Sequence, residues 1–277
     1  MHVVTLSSLV AGACLLCTSQ AQAQQSPVQP HFDLADFHAP LRIDNPYSAM
    51  KPRTRAVLHE LEDGECKVND VVVTDQAKHD FGGPYAGLVA RAVRDRVWAD
   101  DACDGTRGLL LEDTTDWYGQ DDRGNVWYFG EATVEYSYDA HGHRIDADRS
   151  GSWIAGQDGA KAGIVMHAKP MPGMYYRQEY LKGEAEDAAR VERIGLTVTT
   201  GLGRFRDCVE TRETTALTPG DVEYKFYCGN VGLVRVVSPS ARPKPSDRCC
   251  YECARPRAVR SSSSNTTCLS SARSPTN

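Results

Sequence analysis

The sequence lacks the short motifs that mark several large enzyme classes. It contains no GxSxG elbow, no HExxH pair, no Walker loop and no GxGxxG turn. Their absence counts against serine hydrolases of the α/β type, zincins and nucleotide-dependent enzymes. Positive charge is also scarce over most of the chain: the net charge is −6, and seven of the Lys and Arg residues lie beyond position 237. An acidic body with no basic stripe argues against nucleic acid as a partner.

Long apolar runs are missing as well, apart from one at the start of the chain. The run from Val3 to Leu16 is too short to cross a bilayer, and AQA at residues 21–23 fits a signal cleavage site. We therefore predict a signal peptide at residues 1–23 and an exported protein, periplasmic or extracellular. The alternative is a lipoprotein, since AGAC at residues 11–14 resembles a lipidation site at Cys14; lipidation is the only expected route to a membrane.

Ten cysteines are many for 277 residues, but six of them lie in the predicted signal peptide or near the C-terminus. The four in between are an even number in an exported protein, where disulfides are the expected state. Cys66 and Cys103 flank neighbouring predicted strands, and so do Cys208 and Cys228, which favours these two pairings. A zinc site is the alternative, although none of the four has a CxxC partner. The predicted disulfides are Cys66–Cys103 and Cys208–Cys228.

The body of the sequence alternates short runs rich in Val, Thr, Tyr, Phe and Trp with Gly, Pro, Asn and Asp turn signals. This pattern is typical of antiparallel β-structure. We predict a mainly β fold over residues 44–237: a single antiparallel curved sheet, or a partly open barrel or sandwich. At most one or two short helices are expected. The better candidate is Gly183–Val191, whereas Leu88–Trp98 fits a helix or a strand.

The two flanks of this domain differ from it in composition. Residues 24–43 contain Pro and Gln with little periodicity and predict an exposed leader. Residues 238–277 are rich in Ser, Arg and Cys and nearly devoid of apolar residues, which predicts a disordered tail. A shifted reading frame is an alternative explanation of this tail.

The stretch TTDWYGQDDRGNVWYFGE, residues 114–131, predicts a β-hairpin. A three-residue loop ending at Gly124 pairs Asp121 with Asn125 and fixes the register. One face then carries the aromatic residues Trp117, Trp127 and Phe129, which we interpret as a core face. The other face carries Asp116, Tyr118, Gln120, Val126 and Tyr128. A ligand bound between the two tyrosines is one interpretation of this face, and a solvated sheet face is the alternative.

Three carboxylates, Asp116, Glu131 and Glu179, are candidates for acid–base catalysis, because paired carboxyl groups with separated pKa values serve as general acid and base. Arg177 shares a strand face with Glu179 and is a candidate charge-stabilising residue. The predicted register puts Glu131 on the tryptophan face, so it meets Asp116 only if a bulge intervenes. The alternative is a cross-strand ladder of ion pairs on a wet face.

No metal or other cofactor is predicted. His141 and His143 alternate as two zinc ligands can, but they lie at a predicted hairpin tip without a third ligand. Residues 146–151 match the first half of an EF-hand loop, but Gln157 stands where that loop has a bidentate Glu.

Long segments such as EDTTDWYGQDDRGNVWYFGE and GLGRFRDCVETRETTALTPGDVEYKFYCGNVGLVRVV resemble a family of uncharacterised bacterial exported proteins and lipoproteins. The resemblance covers residues 44–237 and implies an exported β-rich fold without an established activity. Residues 199–234 are also similar to a strand-turn-strand element of exported proteins that wrap a curved sheet around apolar ligands. This second resemblance implies a binding role.

Together these observations predict an exported β-rich protein that binds an apolar or saccharide-like ligand, either a small molecule or a polymer, in the cell envelope or outside the cell. The expected ligand-binding residues are Tyr118, Tyr128 and Arg177. The alternative function is a secreted hydrolase or lyase that uses the three carboxylates named above.

Overall fold

The structure is a computed structural model that describes residues 26–62, 65–239 and 266–270. The predicted signal peptide, with Cys14, lies outside the described residues. So does the predicted disordered tail, except for Ser238, residue 239 and a five-residue strand at Thr266–Ser270.

Antiparallel strands make up most of the described chain, which confirms the predicted mainly β fold. Its helical content is two three-residue 3-10 helices, Leu34–Asp36 and Gly83–Tyr85. In the described part of the chain, no helix has the length and apolar character needed to cross a membrane. The strands are β1 (Arg55–Glu62), β2 (Glu65–Lys78), β3 (Ala90–Ala99), β4 (Leu110–Gln120), β5 (Val126–Ala132), β6 (Glu135–Tyr138), β7 (Arg144–Asp148), β8 (Trp153–Ile154), β9 (Lys161–Met166), β10 (Tyr175–Arg177), β11 (Glu179–Tyr180), β12 (Asp187–Thr200), β13 (Gly203–Thr215), β14 (Val222–Cys228), β15 (Gly232–Val237) and β16 (Thr266–Ser270).

Neighbouring strands follow the order β10-β12-β13-β14-β15-β16-β1-β2-β3-β4-β5-β9-β11. The two strands at the ends of this order, β10 and β11, are separated along the chain by Gln178 alone. Residues of β1–β5 and residues of β12–β15 line one common cavity, so the sheet curves until its two halves face each other. Such a curved, sandwich-like arrangement buries strand residues on both faces.

The expected helix at Gly183–Val191 is wrong. Leu181 and Ala185 close a tight turn, with the amide of Leu181 donating to the carbonyl of Ala185 at 2.6 Å, and β12 begins at Asp187. This segment forms a strand because β12 pairs with β10 on one side and with β13 on the other. The strand pairing outweighs the local helix preference of the Ala- and Glu-rich run. The undecided segment Leu88–Trp98 likewise contributes a strand, β3.

The leader is exposed only in part, because its aromatic side chains cover the outer face of the β4–β5 hairpin. The Phe37 ring lies 5.8 Å from the rings of both Trp127 and Phe129. Backbone hydrogen bonds hold the leader in place: the amide of Gln120 donates to the carbonyl of Pro40 at 3.0 Å. Residues 24–43 therefore belong, from residue 26 onward, to the packed fold.

Both disulfides predicted from the sequence are present. Cys208 and Cys228 are direct cross-strand partners on β13 and β14, and both are fully buried. Cys66 near the start of β2 is joined to Cys103 in the loop after β3. Each disulfide joins two cysteines that follow each other in the sequence, because strands that are consecutive in the chain are also neighbours in the sheet.

Removing the Phe37 ring should destabilise the protein. Phe37→Ala deletes a side chain that is 8% exposed, and we expect the free energy of unfolding in urea to fall by about 3 kcal/mol. Val28→Ala, in the same leader but 62% exposed, is the matched control and should change it by less than about 0.5 kcal/mol. Equal effects of the two substitutions would mean that the leader is not packed.

Candidate functional site

The β4–β5 hairpin turns as the sequence predicts. The amide of Asp121 donates to the carbonyl of Asn125 at 3.0 Å, and Gly124 has a φ of 89°, a left-handed conformation that favours glycine. The Asp121 carboxylate also accepts a hydrogen bond from Trp127 Nε1 at 2.9 Å. Next to the turn the pairs run as expected, with Tyr118 opposite Tyr128.

A β-bulge changes the register beyond these tyrosines. Asp116 faces Glu131, whereas unbroken pairing would have placed Gly130 there. Gly130 has a φ of 139°, and a Cβ at this position would come within 2.4 Å of the carbonyl oxygen of Trp153. Only glycine fits there. The expectation that Glu131 lies on the tryptophan face is therefore wrong, and the two candidate carboxylates are cross-strand partners.

The two faces of the hairpin are both buried, but against different surroundings. Trp127 and Phe129 point outward against the leader. Tyr118 and Tyr128 point into the curved sheet, where their rings stack with centroids 4.8 Å apart. The hydroxyl of Tyr128 donates a hydrogen bond to Asp116 Oδ1 at 2.6 Å. The alternative of a solvated face is wrong, because Asp116 is only 7% exposed.

The inward tyrosines line a cavity of about 570 Å³ between the two halves of the sheet. This volume lies within the range of small-molecule pockets. One part of its wall is apolar and comes mainly from β1, β2, β3 and β9: Leu58, Val71, Val73, Val93 and Val165. The polar part carries carboxyl, amide and phenol groups together with one interior amine: Asp95, Asp116, Gln178, Glu179, Asp187, Glu213, Lys225, Tyr118, Tyr128 and Tyr227.

Burial dominates the electrostatics of this cavity. It raises the pKa of Asp116 to about 8 despite the hydrogen bond from Tyr128, which lowers this pKa, and repulsion from Glu131 and Glu112 adds to the rise. Burial and repulsion by Asp116 likewise raise the pKa of Asp95 to about 8. Each unit of such a shift corresponds to about 1.4 kcal/mol of preference for the neutral form.

Two further carboxyl groups have raised pKa values for the same reason. Burial, with repulsion from Asp187 and Glu131, raises the pKa of Glu179 to about 9. Burial also raises the pKa of Glu131 to about 7, although Glu131 is only half-buried and stands beside the cavity instead of lining it. At neutral pH the acidic wall therefore holds several protons.

The opposite wall carries its own counter-ion. Lys225 Nζ lies 2.9 Å from Glu213 Oε2 and 3.4 Å from Glu223 Oε2. Burial lowers the pKa of Lys225, but attraction to Glu213 and Glu223 outweighs it and leaves that pKa well above its usual range. Lys225 thus forms an ion pair with Glu213, an arrangement that Asp95 and Asp116 do not share.

Arg177 does not line the cavity, contrary to expectation. Its guanidinium lies 4.5 Å from the ring of Tyr180 and donates to the carbonyl of Glu186 at 3.3 Å. The break between β10 and β11 at Gln178 turns Arg177 away from Glu179, which is 7% exposed and faces inward. Arg177 and Glu179 therefore do not share a face, contrary to the expectation.

Asp95, Asp187 and Lys225 line the cavity but are not among the residues predicted from the sequence. Asp95 stands in ARAVRDRVWA, where Val93, Asp95 and Val97 alternate on one face of β3. A carboxylate inside an otherwise apolar period-2 face was the available signal. For Asp187 and Lys225 no comparable local signal exists.

The two histidines that alternate as zinc ligands can, His141 and His143, lie apart from the cavity. His141 and His143 are exposed at the β6–β7 turn, and His143 Nδ1 lies 3.2 Å from Asp139 Oδ2. Among the residues that the structure describes, no group of three or more His, Cys, Asp or Glu side chains is arranged to hold a metal ion.

No protein-family model and no curated protein matches this chain. Among solved structures, the crystal structure of a "putative lipoprotein" from Parabacteroides distasonis is similar over 81% of this chain and 97% of the other, with 11% identity and a TM-score of 0.35. A likeness at this level says nothing about which molecule this chain binds.

The raised pKa values predict that stability falls as pH rises. Between about pH 4, where an unfolded Asp titrates, and about pH 8, the unfolded chain releases a proton that folded Asp116 retains. The free energy of unfolding should therefore fall by about 2 kcal/mol or more from pH 5 to pH 8 in urea titrations, and Asp116→Asn should make this fall shallower.

Asp113→Asn is the control for this measurement. Asp113 is on the same strand but faces outward, 2.7 Å from Arg94, and this attraction outweighs burial and lowers its pKa. Its titration lies below the interval measured, so the variant should keep the full slope. An unchanged slope in Asp116→Asn would contradict the raised pKa.

Proposed function

We propose that this chain is an exported protein that binds a small ligand in the cavity of its curved sheet. The observation that carries the proposal is the cavity of about 570 Å³, which combines an apolar wall with convergent hydrogen-bonding groups, as ligand pockets do. Two disulfides support export, because such bonds persist in oxidising compartments.

The walls indicate the kind of ligand. The valine side chains on β2, β3 and β9 suit an apolar body, and the stacked tyrosines provide a flat ring surface beside it. The carboxyl groups and Gln178 provide orientation through hydrogen bonds. A ligand with an apolar part and a polar end fits these walls better than a fully polar saccharide.

Blocking the cavity tests this function. The neutral, apolar dye N-phenyl-1-naphthylamine should bind with one site per chain, measured by its fluorescence. Val71→Phe places a ring inside the cavity and should weaken binding about tenfold or more. Val72→Phe is the matched control: its side chain leaves the opposite face of β2, it does not line the cavity, and dye affinity should stay unchanged.

Two results would contradict the proposal. One is the absence of dye binding to the folded, oxidised protein. The other is an equal loss of affinity in both valine variants, since that would place the dye outside the cavity.

A secreted hydrolase or lyase is the second candidate function, and the bulge favours it. Asp116 and Glu131 face each other on neighbouring strands, with pKa values raised to about 8 and about 7. Both therefore titrate near neutral pH, where general acids and bases are effective. If 4-nitrophenyl glycosides or esters are turned over, Asp116→Asn and Glu131→Gln should each reduce the rate about 100-fold. Turnover that survives both changes would exclude this function.

A further inference from the structure

The charges that line the cavity are unevenly compensated. Its described lining includes three cations, Lys51, Arg55 and Lys225. Arg55 is bound to Asp70, with Nη2 at 2.9 Å from Oδ2, and Lys225 is bound to Glu213. Lys51 is exposed. The lining carboxyl groups outnumber these cations, and they are Asp95, Asp116, Glu179, Asp187 and Glu213.

Asp95 and Asp116 are two of the lining carboxyl groups whose charged neighbours are acids and not cations. They lie on the neighbouring strands β3 and β4, where Asp116 pairs with Val93, two residues from Asp95 on the same face. The charged groups that act on Asp95 are themselves acids: Asp116, Glu112 and Glu60. The acids that act on Asp116 are Glu131 and Glu112.

Unsatisfied hydrogen-bonding atoms point to the same place. Asp95 Oδ1 is enclosed and has no hydrogen-bond partner. Asn69 Oδ1 is also enclosed without a partner, and Asn69 lines a smaller adjoining cavity of about 270 Å³. The two cavities share Leu58, Val71, Asp95, Lys225 and Leu233, and Lys225 is held by Glu213. The Asn69 side chain is near enough to Asp95 to oppose slightly the rise of its pKa.

The character of these atoms restricts the missing partner. Within the described residues, the enclosed and unpartnered atoms on side chains that line these two cavities are Asn69 Oδ1, which is an acceptor, and Asp95 Oδ1, which is an acceptor once the carboxyl group has lost its proton. A buried acceptor without a donor is costly, so a bound group that supplies N–H donors is favoured. An ammonium group has three donors and no acceptor, and its charge also compensates the neighbouring carboxylates.

We propose that the cavity selects an organic cation, an amine with an apolar body, whose ammonium group contacts Asp95, Asn69 and Asp116. This inference rests on the proposed binding function and names the class of ligand. The apolar body lies against Val71 and Val93, with the Tyr118 ring beside it.

Pairs of probes that differ in charge but not in shape test this assignment. 2-Phenylethylammonium is compared with 2-phenylethanol, and hexylammonium with hexan-1-ol, each as a competitor of bound N-phenyl-1-naphthylamine. Each amine should bind about tenfold or more tightly than its alcohol. Asp95→Asn and Asp116→Asn should each remove most of this advantage, measured in each variant as the ratio of amine to alcohol affinity.

Asp113→Asn is the control, because it removes an acid from the outward face of β4 and should preserve the advantage of the amines. Alcohols that compete as well as amines, with the dye still bound in the cavity, would overturn the cation assignment and leave the binding function intact. An equal loss of amine affinity in all three variants would also overturn it. If the dye itself does not bind, both proposals fail.

Discussion

The interior of this protein depends on how it accommodates carboxyl groups that are buried with too few cations. A carboxylate removed from water loses several kcal/mol of hydration unless a partner compensates it. One wall meets this cost with Lys225, which holds Glu213 as an ion pair. The other wall meets it with protons on Asp95 and Asp116, whose pKa values burial raises to about 8. A bound cation can replace such a proton, so the charge of this wall can change. The ion pair of the first wall is fixed.

The outer packing supports the cavity from behind. Phe37 and its neighbours in the leader press on Trp127 and Phe129, and the same hairpin presents Tyr118 and Tyr128 to the inside. With both faces of β4 and β5 held, the phenol of Tyr128 stays within 2.6 Å of Asp116. The polar end of the cavity is therefore built on paired strands, which hold side chains in place more precisely than loops do.

Local signals predicted the fold class, the disulfides and the hairpin turn, because strand alternation and the Gly124 turn depend on neighbouring residues. The bulge could not be predicted from local sequence, because glycine is required at position 130 by contact with Trp153, which lies more than twenty residues further along the chain. Burial of Phe37 depends on a surface that exists only once the hairpin has formed. Asp95 could be placed inside only by knowing which face of β3 the sheet encloses.

The most direct test of the account is a carbon-13 NMR titration of the Asp and Glu carboxyl groups. The account predicts carboxyl resonances that titrate near pH 8, assigned to Asp95 and Asp116 by their absence in the asparagine variants. Their midpoints should move downward when 2-phenylethylammonium is added, because a bound cation favours the ionised form. Titration of every carboxyl group near its ordinary value of about 4 would contradict the account.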